Sequence, residues 1–385
     1  MSTPAITLPA LDTDERDWSL STQAGWFAMA GAPARARPPA CPAHDIALLA
    51  PADRVRYQHA RAVWHANLGP IRTPGIDAAF DALDEICGAN RQDGGKVKPA
   101  AVLDALPGLG KTTAATAFGR AFHHQQIALH GPRIPVADGR WQRIPVVYIG
   151  LTSNTTMRSL NAMLCRFYGL PGADRGTALQ LSNRAAECVA SCKTRLIIVD
   201  DVHFLDVSRR DGREVANHFK WLASAFPVTF LFAGVGLRAR GLLDEGLTGA
   251  DAAFSQTARR WSVLTLHPFE VTSPAGRVTW RNLLLGIERQ LVLARAHRGM
   301  LADDLSGYLF ARSSGHFASL MSLIARGCYR AVKTGTEQLT TALLDQVRID
   351  EAAENARRGL QAALSAGTLS TRPAGRAPRV PAEES

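Results

Sequence analysis

The apolar residues Ile76, Phe80, Leu83 and Ile86 fall on one face of a helix, and residues 54–65 carry the same period. Gly69, Pro70, Pro74 and Gly75 break the chain between them, so two helices precede the first strand. From residue 99 the pattern changes. Short apolar, β-branched runs at 100–105, 144–151, 196–199 and 228–232 alternate with amphipathic stretches at 111–125, 156–168, 178–190 and 212–224. Runs that are apolar throughout belong to strands buried on both faces, so the expected fold class is α/β: a parallel sheet with helices on both faces. Beyond residue 269 the strand signal stops, and 275–293, 302–312, 316–333 and 338–364 read as helices.

The two ends do not read as core. Pro4, Pro9 and the run APARARPPACPAH at 32–44 interrupt any periodicity. Within that leader, Trp18, Leu20, Trp26, Phe27 and Met29 are large apolar side chains in a polar stretch. They suit either a docking motif or a strap that packs on the folded body. The expected organisation is a mostly disordered leader and linker at 1–50, N-terminal helices at 51–98, an α/β core at 99–270, a helical domain at 271–364 and a disordered tail at 365–385 rich in Ser, Thr, Pro and Arg. No internal repeat is visible.

Composition narrows the class. A chain of 385 residues with 46% hydrophobic and 20% charged residues has enough apolar side chains for two or three packed units, which excludes a wholly disordered, collagen-like or disulfide-scaffold protein. Of its 44 basic residues six are Lys and 38 are Arg, and the formal net charge is +10. Guanidinium forks suit phosphate, so a polyanionic partner is one reading; a GC-rich coding sequence gives the same bias. The six cysteines form no C-x-x-C pair, and Cys188 and Cys192 share a helix face as small apolar residues rather than a metal site. Without a charged-then-apolar start or a run of 18 apolar residues, neither secretion nor membrane spanning is expected, and the cytoplasm is the default.

The strongest chemical signal is the turn after the first strand: Ala105, Leu106, Pro107, Gly108, Leu109, Gly110, Lys111, Thr112 and Thr113. It matches the P-loop pattern with Ala105 in place of its first Gly, which restricts that turn. Gly108 and Gly110 let successive N–H groups turn toward phosphate oxygens, and the following helix aims its positive end at the same charge. Lys111 is expected to reach the β and γ phosphates of ATP, and the Thr112 hydroxyl to ligate Mg2+.

A buried strand ending in Asp200 and Asp201 supplies the second half of such a site. Asp200 stands where a carboxylate holds the magnesium shell, and Asp201 where a base polarises the attacking water. Asp is one methylene shorter than Glu, so hydrolysis is expected to be slow. His203 suits either a water-orienting or a structural role. The strand at 228–232 runs into Ala233, Gly234, Val235 and Gly236, with no polar side chain to sense the γ phosphate. Arg259 and Arg260 precede Trp261 and suit either charge stabilisation across a protomer boundary or a surface pair.

Taken together, ALPGLGKTT, IPVVYIGL, LIIVDDVHFL, the NHFKWLA helix, TARRW and SSGHFASL resemble the AAA+ ATPases of the TniB/TnsC transposition group, which are related to ExeA-like and Orc-type initiator ATPases. The likeness spans residues 55–350. It implies a P-loop core with a helical lid, and an ATP form that assembles on double-stranded DNA as a ring or filament. That form recruits or licenses a transposase or integrase-like partner, and hydrolysis drives disassembly. It carries Lys111, Thr112, Asp200 and Asp201 into the ATPase site, and Arg260, with Arg259 second, into the arginine finger. Ala318 stands where initiator-type relatives have a lid Arg. Arg133, Arg140 and Arg143 cluster with Trp141 in a loop before the second strand, and Arg158 follows it; they suit either a solvated loop or DNA contact through phosphates without base readout. The alternative is a STAND-type signalling NTPase, which also tolerates paired Asp residues; such proteins append sensor repeats, and the 115 residues after position 270 show none. A secretion-associated ATPase of ExeA type lacks a supporting membrane segment.

Overall fold

The computed structural model describes residues 8–16, 18–69, 71–92, 98–136, 139–153, 155–204, 218, 219, 221, 228–237 and 261–373. In chain order the elements are α1 (Gln23–Gly31), α2 (Ala43–Leu48), α3 (Pro51–Ala66), α4 (Pro74–Ala89), β1 (Ala100–Ala105), α5 (Lys111–His130), β2 (Arg133–Val136), β3 (Gly139–Gln142), β4 (Val146–Gly150), α6 (Met157–Phe167), α7 (Ala178–Ser191) and β5 (Leu196–Asp200). There follow β6 (Thr229–Gly234), β7 (Trp261–Leu266), α8 (Pro274–Glu288), α9 (Ser306–Ser313), α10 (Phe317–Thr334), α11 (Thr341–Leu344) and α12 (Glu351–Ser365). Of the helix expected at 212–224, only residues 218, 219 and 221 are described. Contacts divide the chain into two units, 17–33 with 75–267, and 1–16 with 34–74 and 268–385.

The first unit is built on a five-stranded sheet of order β4-β5-β6-β1-β7, parallel throughout. Val102, Leu103, Val147, Ile197, Ile198 and Leu231 are fully buried, as strands covered on both faces require. β1 lies between β6 and β7, with Leu103 level with Ala233 on one side and Leu264 on the other. Its C-terminal end is where this topology leaves a crevice for a ligand. Thr156 and Thr177 close capping boxes that start α6 and α7.

Two expectations about this unit need correction. The segment expected as a loop before the second strand is an antiparallel hairpin, β2 with β3, in which Ile134 faces Trp141 and Pro135 faces Arg140. Four-residue strands interrupted by Pro135 are too short to display a period of two. Nor is the leader mostly disordered: α1 is a helix capped by Thr22, and Trp26 on it is fully buried in the sheet unit's core. Of the two readings of the leader aromatics, the strap is the one realised.

The second unit is helical, its core formed by Trp280, Leu284, Ile287, Leu309, Leu320, Leu323, Ile324 and Leu344. The 51–98 segment is not one domain. Its helix α3 belongs to this unit through a buried ion pair, Arg61 Nη1 to Glu337 Oε2 at 2.7 Å, whereas Leu83 and Cys87 of α4 join the sheet core. The rest of the described leader is ordered here as well: the Tyr57 hydroxyl donates to the Pro39 carbonyl, and Ile46 and Leu49 pack with Tyr57. The expected helix at 338–364 is two helices, because Asp350 caps a new start by accepting from Ala353 N and from the Ser319 hydroxyl. The tail is ordered at its beginning, with Leu369 against the core and Thr371 buried; residues 374–385 lie outside the described ones.

All six cysteines are free thiols, and among the described residues no group of three His, Cys, Asp or Glu gathers as a metal cage. Among the described residues no helix is long and apolar enough to cross a membrane.

Candidate functional site

The turn between β1 and α5 brings its residues to the C-terminal edge of the sheet. Gly108 at φ 73° and Gly110 at φ 85° occupy the left-handed region, which glycine enters without steric cost. Gly110 is the cap of α5 and offers no side chain to its first N–H groups, which keeps that helix end open to an anion. Ala105 raises no difficulty. It is the last residue of β1, in register with Leu266, and extended backbone needs no glycine. Leu109 is buried beneath the turn, while Thr112 and Thr113 are exposed at the start of α5.

Residues 88 positions apart meet here: the Thr112 hydroxyl donates to Asp200 Oδ2 at 2.6 Å. Asp200 is 2% exposed at the end of β5, and its carboxylate takes two further donors, the Tyr148 hydroxyl on Oδ2 at 2.8 Å and the Asp201 backbone N–H on Oδ1 at 2.9 Å. A buried carboxylate is tolerated only with such partners. Lys111 is buried and donates to the Ala105 and Leu106 carbonyls at 3.1 and 2.9 Å. Burial lowers its pKa, and the nearby Asp200, Asp104 and Asp201 carboxylates work against that shift. A buried ammonium whose hydrogen bonds go to neutral carbonyls gains from an arriving phosphate.

Asp201 differs from Asp200 in both exposure and backbone. Its side chain is half exposed, and burial together with the Asp200 charge raises its pKa. Its φ of 58° lies in the left-handed region, which Asp and Asn enter more readily than longer side chains, although Lys193 and Glu337 also occupy it here. The local backbone therefore favours Asp over Glu at this position without excluding Glu. His203 Nδ1 lies 3.9 Å from Asp201 Oδ1, beyond hydrogen-bond reach.

Sequence reasoning passed over two members of this site. Tyr148 is a polar-tipped aromatic in an aliphatic strand, and such a hydroxyl needs a partner when buried. Asp104 is a lone charge in β1, and it accepts the Leu237 N–H at 2.9 Å. That bond holds the turn after β6, where Val235 and Gly236 stand at the expected sensor position. Arg259 and Arg260 lie outside the described residues.

Of the residues expected to meet DNA, two are engaged locally. Arg143 donates to the Gly131 carbonyl at 2.9 Å, and Arg158 to the Asp174 and Gly176 carbonyls at 2.6 and 3.2 Å. Arg133 and Arg140 are exposed on the hairpin, as is Trp141, but the register puts the two arginines on one face and Trp141 on the other.

The oxygens of Thr112 and Asp200 are hard donors of the kind Mg2+ takes one or two at a time, leaving phosphate and water to complete its shell. The donor set thus fits that ion beside a nucleotide.

Comparison with known proteins agrees with this geometry. The AAA domain family matches residues 96–243. Among solved structures, the Aeropyrum pernix ORC1 protein in complex with DNA superposes with a TM-score of 0.54 at 13% identity, over 79% of this chain and 71% of that one. The Aeropyrum pernix ORC2 protein in ADPNP-ADP complexes gives a TM-score of 0.54 at 14% identity, over 82% of this chain and 86% of that one. At such identities the likeness is one of fold. A search of curated proteins found no match. Residues 96–243 match the AAA domain family, and the chain has the fold of the AAA+ P-loop NTPases.

Proposed function

We propose that this chain is an ATPase that binds ATP with Mg2+, assembles on double-stranded DNA in the ATP state, and regulates transposition by recruiting or licensing a transposase or integrase-like partner. The observation that carries the nucleotide reading is the bond from Thr112 to Asp200, which joins the phosphate turn to the acidic strand end. Gly108, Leu109, Gly110, Thr112 and Thr113 present backbone N–H groups to the phosphates, with Pro107 shaping the turn. Lys111 exchanges its two carbonyl partners for phosphate oxygens. Thr112 and Asp200 would hold Mg2+, which supplies charge neutralisation on the phosphates when bound. Asp201, half exposed and with its pKa raised, takes a proton from the attacking water. Its short side chain keeps turnover slow. Arg260, with Arg259 second, completes the site of a neighbouring protomer.

The DNA part of the reading rests on the charge of +10 and on exposed Arg133 and Arg140. It is consistent with a fold neighbour being described in complex with DNA. The transposition part rests on the sequence resemblance alone. A second reading, a STAND-type switch that binds ATP without rapid turnover, is favoured by the apolar turn at Val235 to which no γ-phosphate sensor belongs.

Electron microscopy of the chain with duplex DNA and a non-hydrolysable ATP analogue tests assembly. Ordered rings or filaments that are lost in Lys111→Ala are the expected result; persistent monomers overturn the assembly reading. Absence of adenine-nucleotide binding by calorimetry at any Mg2+ level would overturn the nucleotide site itself.

A further inference from the structure

The leader helix reaches the acidic strand end through two aromatic side chains. Trp26 of α1 is fully buried and stacks with Tyr148, centroids 6.4 Å apart and planes 14° from parallel. Its indole N–H donates to His123 Nδ1 at 3.3 Å. Gly119 of α5 makes the space: a Cβ there would stand 2.8 Å from the Trp26 ring and 2.6 Å from the Ile198 methyl. The next residue, Arg120, donates to the Ala30 and Ala32 carbonyls at 3.3 and 2.5 Å, fastening the end of α1. Phe27 meets His123 edge-on at 5.0 Å. One turn of α5 is thus shaped to seat one helix of the leader.

On the far side of Tyr148, its hydroxyl donates to Asp200 Oδ2, the same oxygen that accepts from Thr112. With Asp201 N on Oδ1, three of the carboxylate's roughly four acceptor directions are filled, and its rotation is fixed. Partners behind a metal-binding group set its orientation and basicity, and losing one weakens metal affinity about 10- to 100-fold.

We propose that Tyr148 is a positioning residue for Asp200 and that α1, through Trp26, holds Tyr148 in place, so that docking of the leader sets the divalent-cation affinity of the nucleotide site. The proposal rests on the reading of Thr112 and Asp200 as the Mg2+ ligands. Tyr148→Phe removes only the hydroxyl and keeps the stack. Trp26→Leu removes the stack and leaves every atom of the site in the chain. ADP binding is measured by calorimetry for wild type, both variants and the double variant, first in EDTA and then across a Mg2+ titration.

In EDTA the affinity of Tyr148→Phe stays within about twofold of wild type, whereas the Mg2+ concentration giving half the metal-dependent gain rises about tenfold. Trp26→Leu shifts that midpoint in the same direction, and the double variant shifts it no further than Tyr148→Phe. An unchanged midpoint in Tyr148→Phe, or an equal loss with and without Mg2+, overturns the positioning role. An unchanged midpoint in Trp26→Leu, or shifts that add in the double variant, overturns the part assigned to the leader. A wild-type chain that binds ADP with no response to Mg2+ removes the metal reading beneath both.

Discussion

The Asp104 carboxylate accepts the Leu237 backbone N–H at 2.9 Å, tying the strand that enters the phosphate turn to the turn that leaves β6. Both partners are buried, at 7% and 0% exposure, so neither can fall back on water. Asp104→Ala leaves a buried donor unmet and is expected to destabilise the sheet unit by about 1–3 kcal/mol. Asp104→Asn retains an acceptor oxygen and loses less. Thermal denaturation of the two variants beside wild type checks the order; equal midpoints for wild type and Asp104→Ala would contradict it.

The proposed general base, Asp201, stands on an unusual backbone. Asp201→Asn keeps the left-handed conformation at φ 58° and removes the base, so ATP hydrolysis is expected to fall about 100-fold or more while nucleotide affinity is kept. Asp201→Glu restores a carboxylate on a longer arm but places it on a backbone that disfavours it by about 1 kcal/mol. It should therefore lower the melting temperature even where it raises turnover. Phosphate release and melting, measured together, separate the two effects.

Within the helical unit, Arg61 meets Glu337 twice, at 2.7 and 3.0 Å, with both residues buried. Arg61→Met strands a buried carboxylate that still accepts from the Ala294 N–H, and is expected to cost about 3–5 kcal/mol. Adding Glu337→Gln should recover part of that loss. A denaturant-unfolding cycle on the four proteins measures the coupling, and simple additivity would deny it.

Acid should loosen the leader. Burial holds His123 neutral, with its pKa lowered to about 4, and the neutral ring's Nδ1 accepts from Trp26. His65, whose Nε2 accepts from Val292 N, is lowered to about 3 by burial and by Arg61 and Arg37. Unfolded histidine titrates near 6.5, so below that pH the unfolded chain holds more protons than the folded one. Stability contributed by these rings is complete above about pH 6.5 and declines as the pH falls toward 4. His123→Asn, which offers an amide oxygen near the same position, should flatten part of that slope in melting curves between pH 7 and 4.

For DNA, the local engagement of Arg143 and Arg158 leaves the hairpin arginines as the better candidates. Replacing Arg133 and Arg140 with Ala should weaken duplex binding evenly across sequences and reduce the salt slope by about two. Arg143→Ala and Arg158→Ala should instead lower stability, because their guanidinium groups hold backbone carbonyls. Binding isotherms across a salt series distinguish the two outcomes.

Much of the candidate site was legible in one dimension because the residues of its turn are neighbours along the chain. A phosphate turn needs glycine at Gly108 and Gly110, a cation at Lys111 and a hydroxyl at Thr112, all within one loop and the first turn of a helix. Buried strands likewise announce themselves by apolar runs, interrupted in β1 by Asp104, so β1, β4, β5 and β6 were found within a few residues. The hairpin was missed because four-residue strands carry no readable period, and the single helix expected at 338–364 hid the restart imposed by Asp350.

The sequence by itself determined the P-loop, the acidic strand end and the alternation that builds a parallel sheet, since each depends on neighbours along the chain. Only the tertiary structure decided that Tyr148 and Asp104 belong to the site, that α1 is a strap rather than a disordered leader, and that α3 and α4 serve different units. The physical reason is that a buried hydroxyl, carboxylate or indole must find a partner, and which partner it finds is fixed by the packing of segments far apart in the chain.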